Sequence, residues 1–178
     1  MEFKEVVAKR RSIRKFSDKK ISEEVVDRIL TTALNAPSGH NTRSTRFLVV
    51  DNPETIARMS QMRDSGAAFM AGASMAIVVL GDTAKSELWM VNASIAATML
   101  QLAIVDEGLA SCWVHIAGRA QCKENPEGPS ATDFLREFLP LPEGCEPLCA
   151  IALGYSDYQP KPLPVPENDR DRITYVEK

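Results

Sequence analysis

Residues 88–107 read LWMVNASIAATMLQLAIVDE, and this stretch decides the architecture that the rest of the sequence predicts. Its apolar side chains fall on more than one face of a helix, so we expect a helix buried at the centre of the protein. The stretch approaches the length of a membrane span, but four polar side chains interrupt it and two carboxylates end it. The sequence therefore predicts a core helix, capped by Gly108, and no membrane partner.

Short apolar runs and amphipathic stretches alternate on both sides of that helix. The apolar runs predict strands at Phe47–Val50, Ala76–Leu80, Ser111–Ile116 and Cys149–Leu153. The amphipathic spacing predicts helices at Phe3–Arg11, from Ser22 through Leu34, at Glu54–Arg63 and at Thr132–Phe138. Strands that alternate with helices indicate an α/β or α+β fold in which helices flank a mixed central sheet.

The size and charge of the chain narrow its function. It has 178 residues, 44% hydrophobic and 25% charged, which suits a single domain over residues 1–178. The net charge is −3, but residues 1–20 carry eight basic and three acidic residues, which is +5 and leaves −8 for the remainder. This asymmetry predicts a local anion site and makes nucleic-acid binding the weakest interpretation. The first residues contain no apolar signal region, so we expect a cytoplasmic protein.

The cysteine content and the absence of common catalytic motifs argue against several classes of protein. The four cysteines, without a signal region, predict reduced and mostly packed thiols. A zinc site remains the alternative for Cys122, Cys145 and Cys149, although no CxxC pair exists, and we predict no metal. The chain contains no GxGxxG, GxxxxGK[ST], GxSxG or HExxH motif. The usual dinucleotide-fold, P-loop and hydrolase functions therefore lose their best support.

The C-terminal segment differs in kind from the rest of the chain. Proline occurs at positions 160, 162, 164 and 166, which predicts an extended arm over residues 160–178. Residues 172–176 then have the composition of a strand. Such an arm is suited to lie across a partner subunit and to add to the edge of its sheet, so the sequence predicts a homodimer.

Residues 10–14, Arg-Arg-Ser-Ile-Arg, are the most informative for function. Three guanidinium groups and one hydroxyl at a helix end are donors of the kind that a phosphate accepts. The alternative is a solvated basic face.

Two further stretches carry polar or small residues at the ends of predicted elements. Residues 36–41, Ala-Pro-Ser-Gly-His-Asn, end the second helix, and their small side chains would let a planar ring approach the backbone. Residues 108–115, Gly-Leu-Ala-Ser-Cys-Trp-Val-His, lead from the central helix into a strand. Cys112 and His115 point to opposite faces of that strand, so they do not form a nucleophile and base pair.

In this order and spacing, the three stretches resemble the nitroreductase family of flavin enzymes. The likeness covers nearly the whole chain and includes Leu153-Gly154-Tyr155 ahead of the proline-rich tail. The resemblance implies an α+β homodimer that binds FMN at the subunit interface and exchanges its C-terminal arms.

The same resemblance assigns roles to individual residues. It implies that Arg10, Arg11 and Ser12 contact the flavin phosphate and ribityl chain, and that Arg14 reaches the pyrimidine edge. It places Pro37, Ser38, Gly39 and Asn41 against the ring of the other subunit's flavin. It puts the backbone of His115 and Ile116 beside the flavin N5 and O4 atoms, as an N–H donor. Lys161, Arg170 and Arg172 are the tail's candidates for the phosphate, with Lys161 the first of them.

The implied reaction is hydride transfer from NADH or NADPH through flavin N5 to a small oxidant such as a nitroaromatic or a quinone, in a ping-pong cycle. No catalytic side chain is implied, because the cofactor carries the chemistry.

The alternative is a non-catalytic flavin-binding or storage protein on the same fold. Residues 66–69 offer no polar group to the pyrimidine edge, and Arg63 is the candidate substitute. The helical region 118–145 is expected to select the substrate.

Overall fold

A computed structural model describes residues 1–158, 160 and 167–176. The helices in this part of the chain are α1 (Phe3–Lys9), α2 (Glu23–Leu34), α3 (Pro53–Met59), α4 (Trp89–Asp106) and α5 (Ala131–Arg136). The strands are β1 (Thr45–Val50), β2 (Met75–Asp82), β3 (Ala110–His115) and β4 (Cys145–Gly154). Short 3-10 helices occupy Gly39–Asn41, Ala68–Gly72 and Glu167–Arg172. Every helix and strand expected within residues 1–158 is present.

The four strands form one sheet in the order β1-β2-β4-β3, and all three strand pairs are antiparallel. The expectation of a mixed sheet is wrong for these pairs, because alternation of helices and strands along the chain does not determine strand direction. Within the described residues, parallel pairing is confined to an isolated bridge between Ser12 and Ser111. The strand order makes β1 and β3 the edge strands, and the bridge lies along β3.

The sheet separates two hydrophobic cores, and this explains the continuous apolar sequence of β2. Alternate residues Ala76, Val78 and Leu80 pack with α3 and α5 on one face. Ile77 and Val79 pack with α2 and α4 on the other face. A strand covered on both faces has no solvent side, so polar residues do not alternate along it.

Helix α4 is the central helix of the second core, as its sequence predicts. By length and composition it could cross a membrane, but half of it is buried within the protein. Nine of its residues are buried, which matches a helix with apolar side chains on more than one face. The four cysteines are free, and Cys122 is the exposed one.

The C-terminal segment departs from its prediction where the structure describes it. Residues 167–172 form a 3-10 helix and residues 173–176 have no regular structure, so the strand expected at 172–176 is wrong for the single chain. A strand is stabilised by a neighbouring strand, and this segment pairs with none among the described residues. Pro162, Pro164 and Pro166 lie outside the described residues.

Candidate functional site

The basic segment at the end of α1 lies along the free edge of β3. The Ile13 backbone N–H donates to the Ser111 carbonyl at 3.0 Å, next to the Ser12–Ser111 bridge. Arg10 caps α1, and its own N–H donates to the Val6 carbonyl at 3.0 Å. The helix end and the bridge together fix the backbone of residues 10–13. The sequence-predicted group Arg10, Arg11 and Ser12 is thus gathered at one place.

Arg11 carries the strongest sign that this segment contacts a ligand. One terminal nitrogen of its guanidinium, Nη1, donates to the carbonyls of Ala8 at 2.9 Å and Arg10 at 2.8 Å. Its Nε–H is buried and has no hydrogen-bond partner in the described residues. A buried cationic donor without a partner is costly, so such an atom fits an acceptor that a ligand supplies. Arg11 also lines a cavity of about 510 Å³ between α1, the α4–β3 junction and the residues Ser156, Tyr158 and Pro160.

Arg14 extends the positive charge beyond the segment's backbone. Its guanidinium lies 5.7 Å from the centre of the Phe69 ring, and its Nη1 lies 3.4 Å from the Ser12 carbonyl. Burial raises the pKa of the neighbouring Cys112 thiol, while the charge of Arg14 opposes that rise. The thiol is therefore neutral at pH 7, so Cys112 does not form an ion pair with Arg14. The ring of Phe69 lies beneath the Arg14 guanidinium. From the sequence, Phe69 is identified only as a non-polar residue.

The last residue of β3 presents a backbone donor to the same edge. Ile116 N–H donates to the Leu148 carbonyl at 2.9 Å, which makes His115 and Cys149 a non-hydrogen-bonded pair of the antiparallel ladder. The His115 N–H and C=O groups therefore point away from β4. Arg63 confirms this direction, because its Nη1 donates to the His115 carbonyl at 3.3 Å.

The same hydrogen bond corrects the prediction for Ile116. Its N–H is committed to Leu148 and its side chain is fully buried, so Ile116 offers no donor to a flavin. The reason is the ladder register, which alternates inward and outward backbone groups along β3.

The His115 side chain is stacked on Trp113, with ring centres 6.3 Å apart and 15° between the planes. Burial lowers the pKa of His115, and the charges of Arg119 and then Arg63 lower it further. The imidazole is therefore neutral at pH 7. Arg119 was not predicted from the sequence; its position directly after Gly118, in the turn that follows β3, is the signal that could have identified it.

The loop that carries Pro37, Ser38, Gly39 and Asn41 lies elsewhere in the chain. It leads into β1, which is the opposite edge of the sheet from β3. Three strand spacings separate the two edges, roughly 14 Å. Within one chain, this loop and the basic segment therefore lie at opposite edges of the sheet. His40, Asn41 and Arg43 are in the left-handed conformation, with φ of 52°, 52° and 48°.

The tail adds little within the described residues. Lys161, the first tail candidate for a phosphate, lies outside them. Arg172 is exposed and approaches Asp169 at 3.5 Å.

Comparison with known proteins identifies the family. The profile of the Nitroreductase family matches residues 7–63 and 60–155, which is most of the chain. The chain belongs to the nitroreductase family. Its members are oxidoreductases, and the resemblance noted from the sequence is confirmed.

Solved structures confirm the α+β nitroreductase fold. An FMN-dependent nitroreductase from Clostridium difficile R20291 superimposes with a TM-score of 0.89, at 35% identity, over 97% of this chain and 98% of that chain. A nitroreductase with bound FMN from Desulfitobacterium hafniense DCB-2 gives a TM-score of 0.75 at 28% identity, over 99% of each chain. A protein of Methanothermobacter thermautotrophicus named "Putative NADH dehydrogenase/NAD(P)H nitroreductase" is 31% identical over 163 residues, covering 90% of this chain and 80% of that protein.

Proposed function

We propose that this chain binds FMN and passes hydride from NADH or NADPH to a small oxidant such as a nitroaromatic or a quinone. The observation that carries the proposal is the buried, unpartnered Nε of Arg11 within a basic segment fixed against β3. The residues present fit the cofactor. Guanidinium groups and the Ser12 hydroxyl match a phosphate and a polyol chain, and the aromatic ring of Phe69 matches the apolar part of a flavin.

When bound, FMN would supply hydride transfer at N5, and the side chains of this protein would bind and orient it. Arg14, and Arg63 at the His115 carbonyl, would place positive charge at the pyrimidine edge, where negative charge develops on reduction. The His115 N–H points out from the sheet edge and would donate a hydrogen bond near N5. The His115 imidazole is neutral at pH 7, so it would add no positive charge beside the ring.

We also propose that the active unit is a homodimer, since the two halves of the candidate site lie on opposite edges of the sheet. An unpartnered apolar surface supports this assembly. Exposed side chains from α1, the end of α2 and the start of α4 contribute to it: Phe3, Val7, Leu34, Leu88, Met90, Val91 and Ile95. A groove of about 310 Å³ lies between α1, α2 and α4, and Phe3 lines it. Apolar patches of this kind mark protein interfaces.

The absorption spectrum of the purified protein tests the cofactor. We expect flavin bands, or their appearance on the protein fraction after FMN is added and the excess is removed. A protein that retains no flavin under either condition would refute the proposal.

Anaerobic mixing with NADH or NADPH separates the enzyme from a flavin-storage protein. We expect rapid bleaching of the bound flavin and reoxidation when a quinone or a nitroaromatic is added. A flavin that stays oxidised with both nucleotides would favour storage.

Sedimentation of the holoprotein tests the dimer, and a monomer with full flavin occupancy would refute a shared site.

A further inference from the structure

The loop before β1 has a backbone conformation that few non-glycine residues adopt. Three non-glycine residues, His40, Asn41 and Arg43, hold positive φ angles near 50°. Such conformations are uncommon outside glycine, and they persist only where the surroundings over-determine them. All three side chains are exposed, so packing of these side chains does not impose the conformation.

One buried side chain on another element holds this loop from both ends. Asn92, on α4, is only 1% exposed. Its Oδ1 accepts a hydrogen bond from the Gly39 N–H at 2.9 Å, and its Nδ2 donates to the Ser44 hydroxyl at 2.9 Å. Ser44 is fully buried. The two anchors lie on either side of the three residues with positive φ.

The remaining contacts of Asn92 complete the arrangement. Its Nδ2 also lies 3.4 Å from the Thr42 hydroxyl and 3.2 Å from the Ser86 hydroxyl. The loop must approach α4 closely for these bonds to form. A Cβ atom on Gly39 would stand 3.0 Å from the Leu88 side chain, so the loop packs closely on the start of α4 at this glycine.

We propose that Asn92 is a positioning residue for the flavin ring: by bonding Gly39 and Ser44 it holds residues 38–43 in the strained shape that a flavin bound across the dimer contacts. The proposal rests on the proposed function, because the loop bears Ser38, Gly39 and Asn41. Asn92 is an amide whose Oδ1 accepts at one end of the loop while its Nδ2 donates at the other, a pair of bonds that an aliphatic side chain cannot make. It acts through the loop and touches no reacting atom.

The test compares Asn92→Leu with two control variants. Leucine keeps the branched shape and the number of side-chain heavy atoms, and it removes both anchors. Ser86→Ala removes one contact of Asn92 but leaves the bonds to Gly39 and Ser44 intact. Leu135→Ala opens a cavity in the core on the other face of the sheet, far from the loop, and controls for general loss of stability. All measurements are made at a temperature where circular dichroism shows each protein folded.

The first readout is the dissociation constant of FMN and, separately, of riboflavin, from flavin fluorescence. We expect Asn92→Leu to raise the dissociation constants of FMN and riboflavin about tenfold, because the displaced loop would lose a contact with the ring that the two ligands share. Tenfold corresponds to about one hydrogen bond between loop and ring. Ser86→Ala and Leu135→Ala should bind as the unmodified protein does. Equal affinity in Asn92→Leu and the unmodified protein would overturn the proposal, as would an equal loss in Leu135→Ala.

The second readout needs no flavin. Trypsin cuts after Arg43 only if the loop can leave its folded shape, so Asn92→Leu apoprotein should be cut there faster than either control. An unchanged rate would refute the anchoring role. If the unmodified protein binds neither FMN nor riboflavin, the proposed function fails, and the cleavage rate at Arg43 still decides whether Asn92 holds the loop.

Discussion

Replacing Arg10 and Arg14 by alanine should weaken FMN binding far more than it weakens the fold. The Arg14 guanidinium has a 3.4 Å contact with the Ser12 carbonyl and lies 5.7 Å from the Phe69 ring centre. An exposed cation–π contact of this kind contributes about 0.5–1 kcal/mol. The Arg10 side chain makes no hydrogen bond or ion pair within the described part of the chain. We therefore expect the unfolding free energy of the apoprotein to fall by about 1 kcal/mol.

The loss of binding is expected to be several times larger. A charge-assisted hydrogen bond contributes about 1.5–3 kcal/mol, so two lost contacts amount to about 3–6 kcal/mol. This corresponds to a dissociation constant raised roughly 10²- to 10⁴-fold. Flavin fluorescence titration measures the affinity, and urea unfolding of the apoprotein measures the stability. Riboflavin adds a check, because removal of Arg10 alone should weaken FMN and spare the phosphate-free ligand.

Arg58→Ala is the matched control for this pair. Arg58 is also an exposed arginine, and it has more to lose from the fold: a 3.0 Å ion pair with Glu137 and a position 4.1 Å from the Phe138 ring centre. It should therefore cost stability and leave FMN affinity unchanged. If the Arg10 and Arg14 variant loses stability and affinity by the same free energy, or if Arg58→Ala weakens FMN as much, the phosphate-site interpretation is refuted.

Three further measurements test the structure independently of the flavin. His115 has a lowered pKa, so the unfolded chain binds the extra proton first; the unfolding free energy should fall as the pH drops below about 6.5, and His115→Gln should lack that part of the slope. A chromogenic thiol reagent should titrate one cysteine per native chain, and Cys122→Ser should abolish that reaction, whereas two or more fast thiols would contradict the burial of the others. Gly81→Ala should cost about 1–3 kcal/mol in urea unfolding, since its Cβ would stand 2.4 Å from the Trp89 ring, while Gly72→Ala, with open space around it, should cost little.

The helices and strands could be predicted because they depend on local patterns. The apolar run at β2 and the apolar residues on more than one face of α4 indicate buried elements whatever surrounds them. The bounds differ by a few residues, as at α3, which ends at Met59 where the sequence pattern continues to Arg63. Strand β4 begins at Cys145, four residues before its prediction, because pairing with β2 extends past Pro147. The first and last residues of a helix or strand depend on the elements that pack or pair with it, and the local sequence does not encode these partners.

The candidate site divides in the same way. The basic residues 10–14 stand out in an acidic chain, so charge alone identifies them. The outward direction of the His115 N–H, and the loss of Ile116 as a donor, follow from the β3–β4 register, which no local pattern encodes. The left-handed residues 40, 41 and 43 contain no glycine to reveal them, and Asn92 looks like one more interruption of an apolar helix.

The amino-acid order by itself determined which segments are helical, which are buried, and where positive charge concentrates, since propensity, periodicity and charge act over a few residues. Only the tertiary structure decided that the sheet is antiparallel, that the loop at residues 37–41 and the arginines stand on opposite edges, and that the Arg11 Nε is left without a partner. These features depend on hydrogen bonds and distances between residues far apart in the chain. They exist only once the whole sheet has formed.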